Sequence, residues 1–130
     1  MGKISKDELL MGRDKQYPKD YTKEVSDNLD KLLEPLNKFR EAYGKVMQVS
    51  SGWRPPSINA GIPNAAKKSN HMIGLACDFK DADGALDKFC MENLKLLEDL
   101  GLYLEHPDAT VGWCHLQCVS PKSGNRVFRP

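Results

Sequence analysis

Apolar residues recur along this chain in two rhythms, one of period 3.6 and one of alternation. Between Thr22 and Gly44, the positions Val25, Leu29, Leu32, Leu33, Leu36, Phe39 and Tyr43 fall on one stripe, which predicts an amphipathic helix. Gly44 is its natural stop. Pro35 lacks an N–H and crowds the preceding turn, so it is expected to kink the helix or split it in two. A second helical pattern runs through ALDKFCMENLKLLEDLG, with Leu86, Phe89, Cys90, Leu94, Leu97 and Leu100 on its buried face and Gly101 at its end. Shorter apolar runs read as strands: KVMQVSSG, GLACDFK, LYLE and GWCHLQCV, with a last short strand in the tail SGNRVFRP. WRPPSINAGIPNAAKKSN is rich in Pro, Asn, Gly and Ser and reads as loop with room for one helical turn. DADG reads as a turn, HPDATV as a loop, and KDELLMG as a short helix near the start.

This order predicts an α+β fold, a small and mostly antiparallel sheet with helices packed on one side. At 130 residues the chain is expected to form a single domain, 1–130, with residues 1–20 as an N-terminal extension docking on the body. Composition adds little: 40% hydrophobic and 28% charged residues describe an ordinary globular protein. The formal net charge of +1 offers no basic footprint for nucleic acid and no acidic tail. No apolar run approaches the ~20 residues of a membrane span. The start, MGKISKDELLMGRDK, lacks the apolar core of a secretory signal and fits a myristoylation pattern only loosely. The expectations are synthesis in the cytoplasm without a signal peptide, and neither nucleic acid nor membrane as a partner. The cysteines at 77, 90, 114 and 118 form no CxxC pair, so buried free thiols are expected rather than a zinc finger or disulfides.

Candidate chemistry concentrates in SNHMIGLACDF. In the strand reading, Ala76 and Asp78 share one face while Leu75, Cys77 and Phe79 share the other. An aspartate on an apolar strand is costly to bury unless something pairs with it. Gly74 permits a sharp turn that would return His71 over that strand. His115, in GWCHLQCV, is a third polar residue among bulky ones; if the two strands are neighbours, it can meet Asp78. Two imidazoles and one carboxylate make a three-ligand site with an open position, the arrangement of a catalytic zinc. The competing reading is three unrelated, locally satisfied side chains. Zinc is the metal these ligand types favour, although other divalent ions could occupy them.

Three blocks carry a family resemblance: Ser51-Gly52-Trp53-Arg54, the run Ser69-Asn70-His71-Met72-Ile73-Gly74-Leu75-Ala76-Cys77-Asp78, and Trp113-Cys114-His115. In order and separation they resemble the zinc D-alanyl-D-alanine peptidase family, peptidoglycan peptidases whose fold is shared with the Hedgehog signalling domain. The likeness spans residues 20 to 118. It implies zinc held by His71, Asp78 and His115, Arg54 binding substrate and stabilising the developing oxyanion, and Ser69 contacting substrate. Ser69 could equally be a turn or cap residue.

One departure matters. Many members carry Glu or Asp three residues before the last histidine, to take a proton from the attacking water and pass it to the leaving amine. Here that position is Gly112, a small residue that some branches share. Glu105 is the expected replacement, ahead of Asp108 and His106. Gln117 stands where many relatives have Asp and could orient a ligand. Trp53 and Trp113 could wall the cleft or be core.

The implied function is hydrolysis of an amide bond in peptidoglycan peptides, as a D-Ala-D-Ala carboxypeptidase or an endolysin-type endopeptidase. The small size resembles bacteriophage and prophage members, which act at the bacterial cell wall once released or belong to the virion with virion proteins as partners. The alternative, marked by Gly112, is a catalytically inactive zinc-binding module that docks on cell wall or virion. Which bond is cut and the oligomeric state stay open.

Overall fold

Helix α3, Lys23–Tyr43, forms the backbone of the core in the computed structural model, which describes residues 3–63 and 69–130. Thr22 caps its start by accepting from Val25 N, and Gly44 ends it in the left-handed conformation at φ 73°. Val25, Leu29, Leu32, Leu36 and Phe39 are buried along one stripe, as the periodicity predicts. The expected split at Pro35 does not occur: the helix runs unbroken for 21 residues. The carbonyl that Pro35 leaves without a donor belongs to exposed Lys31 on the solvent side, where water can satisfy it, while Leu32 and Leu36 are packed on either side.

Before α3 come α1 (Lys6–Leu10) and α2 (Arg13–Gln16). A capping box between Ser5 and Glu8 starts α1, which buries Leu9 and Leu10. Asn37 of α3 holds this segment, donating to the Ile4 carbonyl at 3.1 Å and accepting from its N–H at 2.7 Å. The loop reading after Trp53 contains one short helix, α4 (Pro56–Ala60). Positions 64–68 of that loop, and the Met1–Gly2 start of the myristoylation pattern, lie outside the described residues.

The strands are β1 (Val49–Ser51), β2 (Ala76–Asp81), β3 (Tyr103–Glu105), β4 (Gly112–Gln117) and β5 (Val127–Phe128). They form one sheet in the order β1-β2-β4-β3-β5, antiparallel except for the β3–β5 pair. The fold is α+β. Cys77 and Phe79 of β2, Leu104 of β3, and Cys114 and Leu116 of β4 enter one hydrophobic cluster with α3 and the two helices that follow β2. Helices thus cover one face of the sheet, and the alternating residues point to the other.

The second helical pattern is two helices, not one: α5 (Ala85–Glu92) and α6 (Leu94–Leu100). Asn93 divides them at φ −133°, and its amide donates to the Phe89 carbonyl at 2.8 Å. An asparagine that bonds its own backbone offers the chain a non-helical alternative. The break re-phases α6 relative to α5, so Leu94, expected inside, is 38% exposed while Leu97 is buried. All four cysteines are free thiols; Cys77, Cys90 and Cys114 are buried and Cys118 partly so. No helix among the described residues is long and apolar enough to cross a membrane.

Candidate metal centre

The sheet register brings the site together. Asp78 of β2 lies opposite His115 of β4, and on its other side opposite Ser51 of β1. Ala76 faces Gln117, which also faces Tyr103 of β3. Alternation along β3 puts Glu105 on the same face as Tyr103, beside His115. None of these side chains belongs to the helix-covered face.

His71 arrives from a turn rather than a strand. Gly74 closes that turn at φ +82°, and a Cβ there would sit 3.0 Å from the Val25 carbonyl of α3. Asn28 of α3 donates to the Ile73 carbonyl at 2.8 Å, and the Trp53 indole donates to the Met72 carbonyl at 2.9 Å. Trp53 is therefore core, fully buried, with Tyr21 packed on its ring; Trp113 is 37% exposed. Ser69 accepts from the His71 N–H at 3.2 Å and from Arg54 Nη2 at 3.4 Å, so it acts as a turn cap and also steadies the arginine.

His71 Nε2, Asp78 Oδ1 and His115 Nδ1 converge. His115 Nδ1 is 2.8 Å and His71 Nε2 3.3 Å from Asp78 Oδ1, and one ligand atom from each residue lies within 4.8 Å of the others. His71 Nδ1 donates to the Gly52 carbonyl at 2.9 Å, which fixes the tautomer and leaves Nε2 bare. That bare nitrogen is buried and, among the described residues, has no hydrogen-bond partner. On His115 the arrangement is mirrored: Nε2 donates to Gln117 Oε1 at 2.8 Å, and the Gln117 amide nitrogen is anchored on the Val119 carbonyl at 2.8 Å. Both imidazoles thus have their far nitrogen engaged and their near nitrogen turned toward one carboxylate, the outer-shell support expected of metal-ligating histidines. An orphaned nitrogen, a second imidazole and a carboxylate are a donor set suited to zinc. The cluster could hold such an ion.

Electrostatics follow the same geometry. Burial lowers the His71 pKa, so that ring is neutral. Burial also opposes charging His115, but the hydrogen bond and charge of Asp78 outweigh it and raise its pKa. Asp78 is pushed upward by burial, yet the two imidazoles hold its carboxylate well below the usual range. Glu105 Oε1 is 3.9 Å from His115 Nδ1, and burial raises its pKa. Asp108 is exposed and pairs with Arg129 at 3.2 Å, while His106 accepts from Asp108 N. Of the three sequence candidates for proton transfer, only Glu105 is brought to the cluster. Gly112 adopts φ +95° at the start of β4, a conformation that any side chain there would strain.

The sequence predicts that residues 1–20 dock on the body but carries no signal for which contacts they make. Trp53 N donates to the Leu9 carbonyl at 2.8 Å, and Arg13 Nη1 donates to the Trp53 carbonyl at 2.7 Å. Gly52, whose carbonyl holds His71, presses so close to α1 that a Cβ would lie 2.1 Å from the Leu9 oxygen. The β5 strand adds a further wall, with the Phe128 ring 6.1 Å from that of His115.

A family model described as Peptidase M15 matches residues 6–106. The matched span holds α1, Arg54, His71, Asp78 and Glu105 and stops short of His115, whose place in the cluster rests on the register of β2 and β4. No curated protein and no solved structure matches the chain.

Proposed function

The chain belongs to the peptidase M15 family, the zinc D-alanyl-D-alanine peptidases, and from that premise we propose that it hydrolyses an amide bond in peptidoglycan peptides. The observation that carries the reading is the bare, buried His71 Nε2 aimed at Asp78 and His115 in a chain of this family. His71, Asp78 and His115 would hold the ion. When bound there, zinc supplies Lewis acidity toward a carbonyl oxygen and toward water.

The remaining roles fall to residues around the cluster. Glu105 accepts a proton from the attacking water as the water oxygen bonds the carbonyl carbon. It returns that proton to the nitrogen as the C–N bond breaks. Its half-buried position beside His115 supports this assignment. Arg54 offers guanidinium N–H donors to the oxyanion that develops. Its backbone N–H on the His71 carbonyl at 3.0 Å ties its position to that of a ligand. Ser69 orients Arg54 through its hydroxyl. Asp78 accepts from His115 Nδ1 while the bare His71 Nε2 lies 3.3 Å from the same oxygen, and Gln117 keeps His115 in the required tautomer. The protein acts on the bacterial cell wall, as a released phage-type enzyme or a virion component; carboxypeptidase and endopeptidase action share this machinery.

Incubation of the zinc-supplemented protein with purified peptidoglycan tests the reading by the appearance of new amino groups. Release that falls by roughly 10²-fold or more in Glu105→Gln, with zinc content unchanged, supports the enzyme. No release under any divalent metal would replace it with a binding module, the reading that Gly112 suggests.

A further inference from the structure

The carbonyl of Gly52 anchors His71, and the N–H of the same residue is held by a sulfur. Gly52 N donates to Met11 Sδ at 3.3 Å, while Gly52 O accepts from His71 Nδ1 at 2.9 Å. A single buried glycine therefore links the thioether to a ligand of the cluster. Met11 ends α1 in the left-handed conformation at φ 55°, the non-glycine residue with a positive φ among the described residues. Such a cap is usually glycine, because a Cβ is penalised there. The turn gives no reason for methionine; the sulfur contact, made across 41 positions, does.

That sulfur belongs to a side chain in reach of water. Met11 is 39% exposed, whereas Met47 is packed in the core. A thioether is a weak acceptor, and a hydrogen bond to one lone pair leaves the other for attack. Gly52 cannot follow the sulfur if the side chain moves: Trp53 N is bonded to Leu9 O at 2.8 Å, and the backbone of α1 leaves no room at Gly52 even for a Cβ. We propose that Met11 is an oxidation site for peroxides, and that its sulfoxide loosens the Gly52 anchor of His71. With hydrogen peroxide, a sulfur lone pair forms the S–O bond as the O–O bond breaks. The leaving oxygen takes up a proton and departs as water; the sulfur is oxidised and the peroxide reduced. The sulfoxide is polar and chiral, and its added oxygen is crowded where Gly52 N approaches. It turns to solvent, and the N–H of a buried residue loses its acceptor. The loop then relaxes, and with it the carbonyl that fixes the His71 tautomer. The inference rests on the metal reading of the cluster and is independent of hydrolysis.

The test treats the full chain with hydrogen peroxide and then with dithiothreitol, which reverses sulfenic acids and disulfides and leaves sulfoxides in place. Peptide mass mapping reads the addition of one oxygen atom at Met11. Calorimetric titration reads zinc affinity, and thermal melting is followed on the metal-free chain. The expectation is oxidation of Met11 well ahead of Met47, zinc affinity about tenfold weaker and a lower melting temperature, all reversed by methionine sulfoxide reductases for both epimers. Met11→Leu, which lacks the acceptor, should start weaker and no longer respond to peroxide. Met91→Leu, at an equally exposed methionine, should respond like wild type. A Met11 that stays intact while Met91 is oxidised overturns the inference. So does a Met11 sulfoxide that leaves zinc affinity unchanged, or a Met11→Leu chain that still responds. If Met11→Leu does not fold, reversal by the reductases in wild type decides. A chain that binds no zinc before treatment sinks the metal reading, and the melting shift alone then decides the inference.

Discussion

Gln117 has one arrangement open to it: its amide nitrogen is spent on the Val119 carbonyl, so only its oxygen can meet His115. Gln117→Leu would remove that acceptor and free the ring to turn. The expected result is a 10–100-fold loss of zinc affinity by calorimetric titration, with the fold retained. Asp87 makes a different prediction. Burial, with the charge of Asp81 nearby, raises its pKa to about 6, and one of its oxygens is buried without a partner among the described residues. The folded state therefore holds this proton more tightly than the unfolded chain. Below the unfolded pKa the carboxyl is neutral in both states and carries no penalty; as pH rises through 6 the cost of ionising it appears in full. Asp87→Asn should therefore gain on wild type by up to about 2 kcal/mol between about pH 4 and pH 7, a figure already reduced for solvent screening and read from denaturant melts at each pH. At this scale the sequence was informative where chemistry is scarce. His71, Asp78 and His115 stand out because polar residues in apolar runs need partners. The partners of Arg13 and Gly52 were not legible, because both are tertiary contacts across 40 or more residues with no local pattern.

Among the elements, the helix–strand order was readable because apolar period and turn residues agree along most of the chain. It failed where a single side chain overrode the period. Asn93 bonds its own backbone and divides α5 from α6, and the apolar stripe alone cannot foresee a phase shift. Pro35 erred the other way: its missing N–H is tolerated because it falls on the wet side of a helix packed tightly elsewhere. The contact of α1 with the Ser51–Arg54 loop gives an element-scale test. Gly52→Ala would drive a methyl into the Leu9 backbone, and backbone cannot swing aside as a side chain can. A loss above about 3 kcal/mol in thermal or denaturant melts is expected, with weaker zinc binding because the Gly52 carbonyl also holds His71.

For the molecule as a whole, the two faces of one small sheet divide the labour, apolar against the helices and polar toward the cleft. Ordering two imidazoles around a carboxylate costs folding free energy that an ion would return, so zinc should stabilise the native state by mass action. At a hundredfold excess over its dissociation constant, the gain is about 2.7 kcal/mol. A melting temperature that rises with zinc and falls back with a chelator is the expected signature, absent in Asp78→Asn. The β2–β4 register was legible only as a condition, that the two strands be neighbours; the structure meets it.

The strand that carries His115, and the Phe128 side chain beside it, come late in the chain, after Leu9, Gly52, His71 and Asp78. During synthesis the ribosome therefore displays two ligands well before the third. A nascent chain can pair α1 with the Trp53 loop, but it cannot close the coordination sphere. Loading with metal thus waits until β4 has been made and paired, and a truncation inside β4 would yield a chain blind to zinc however well its helices had formed.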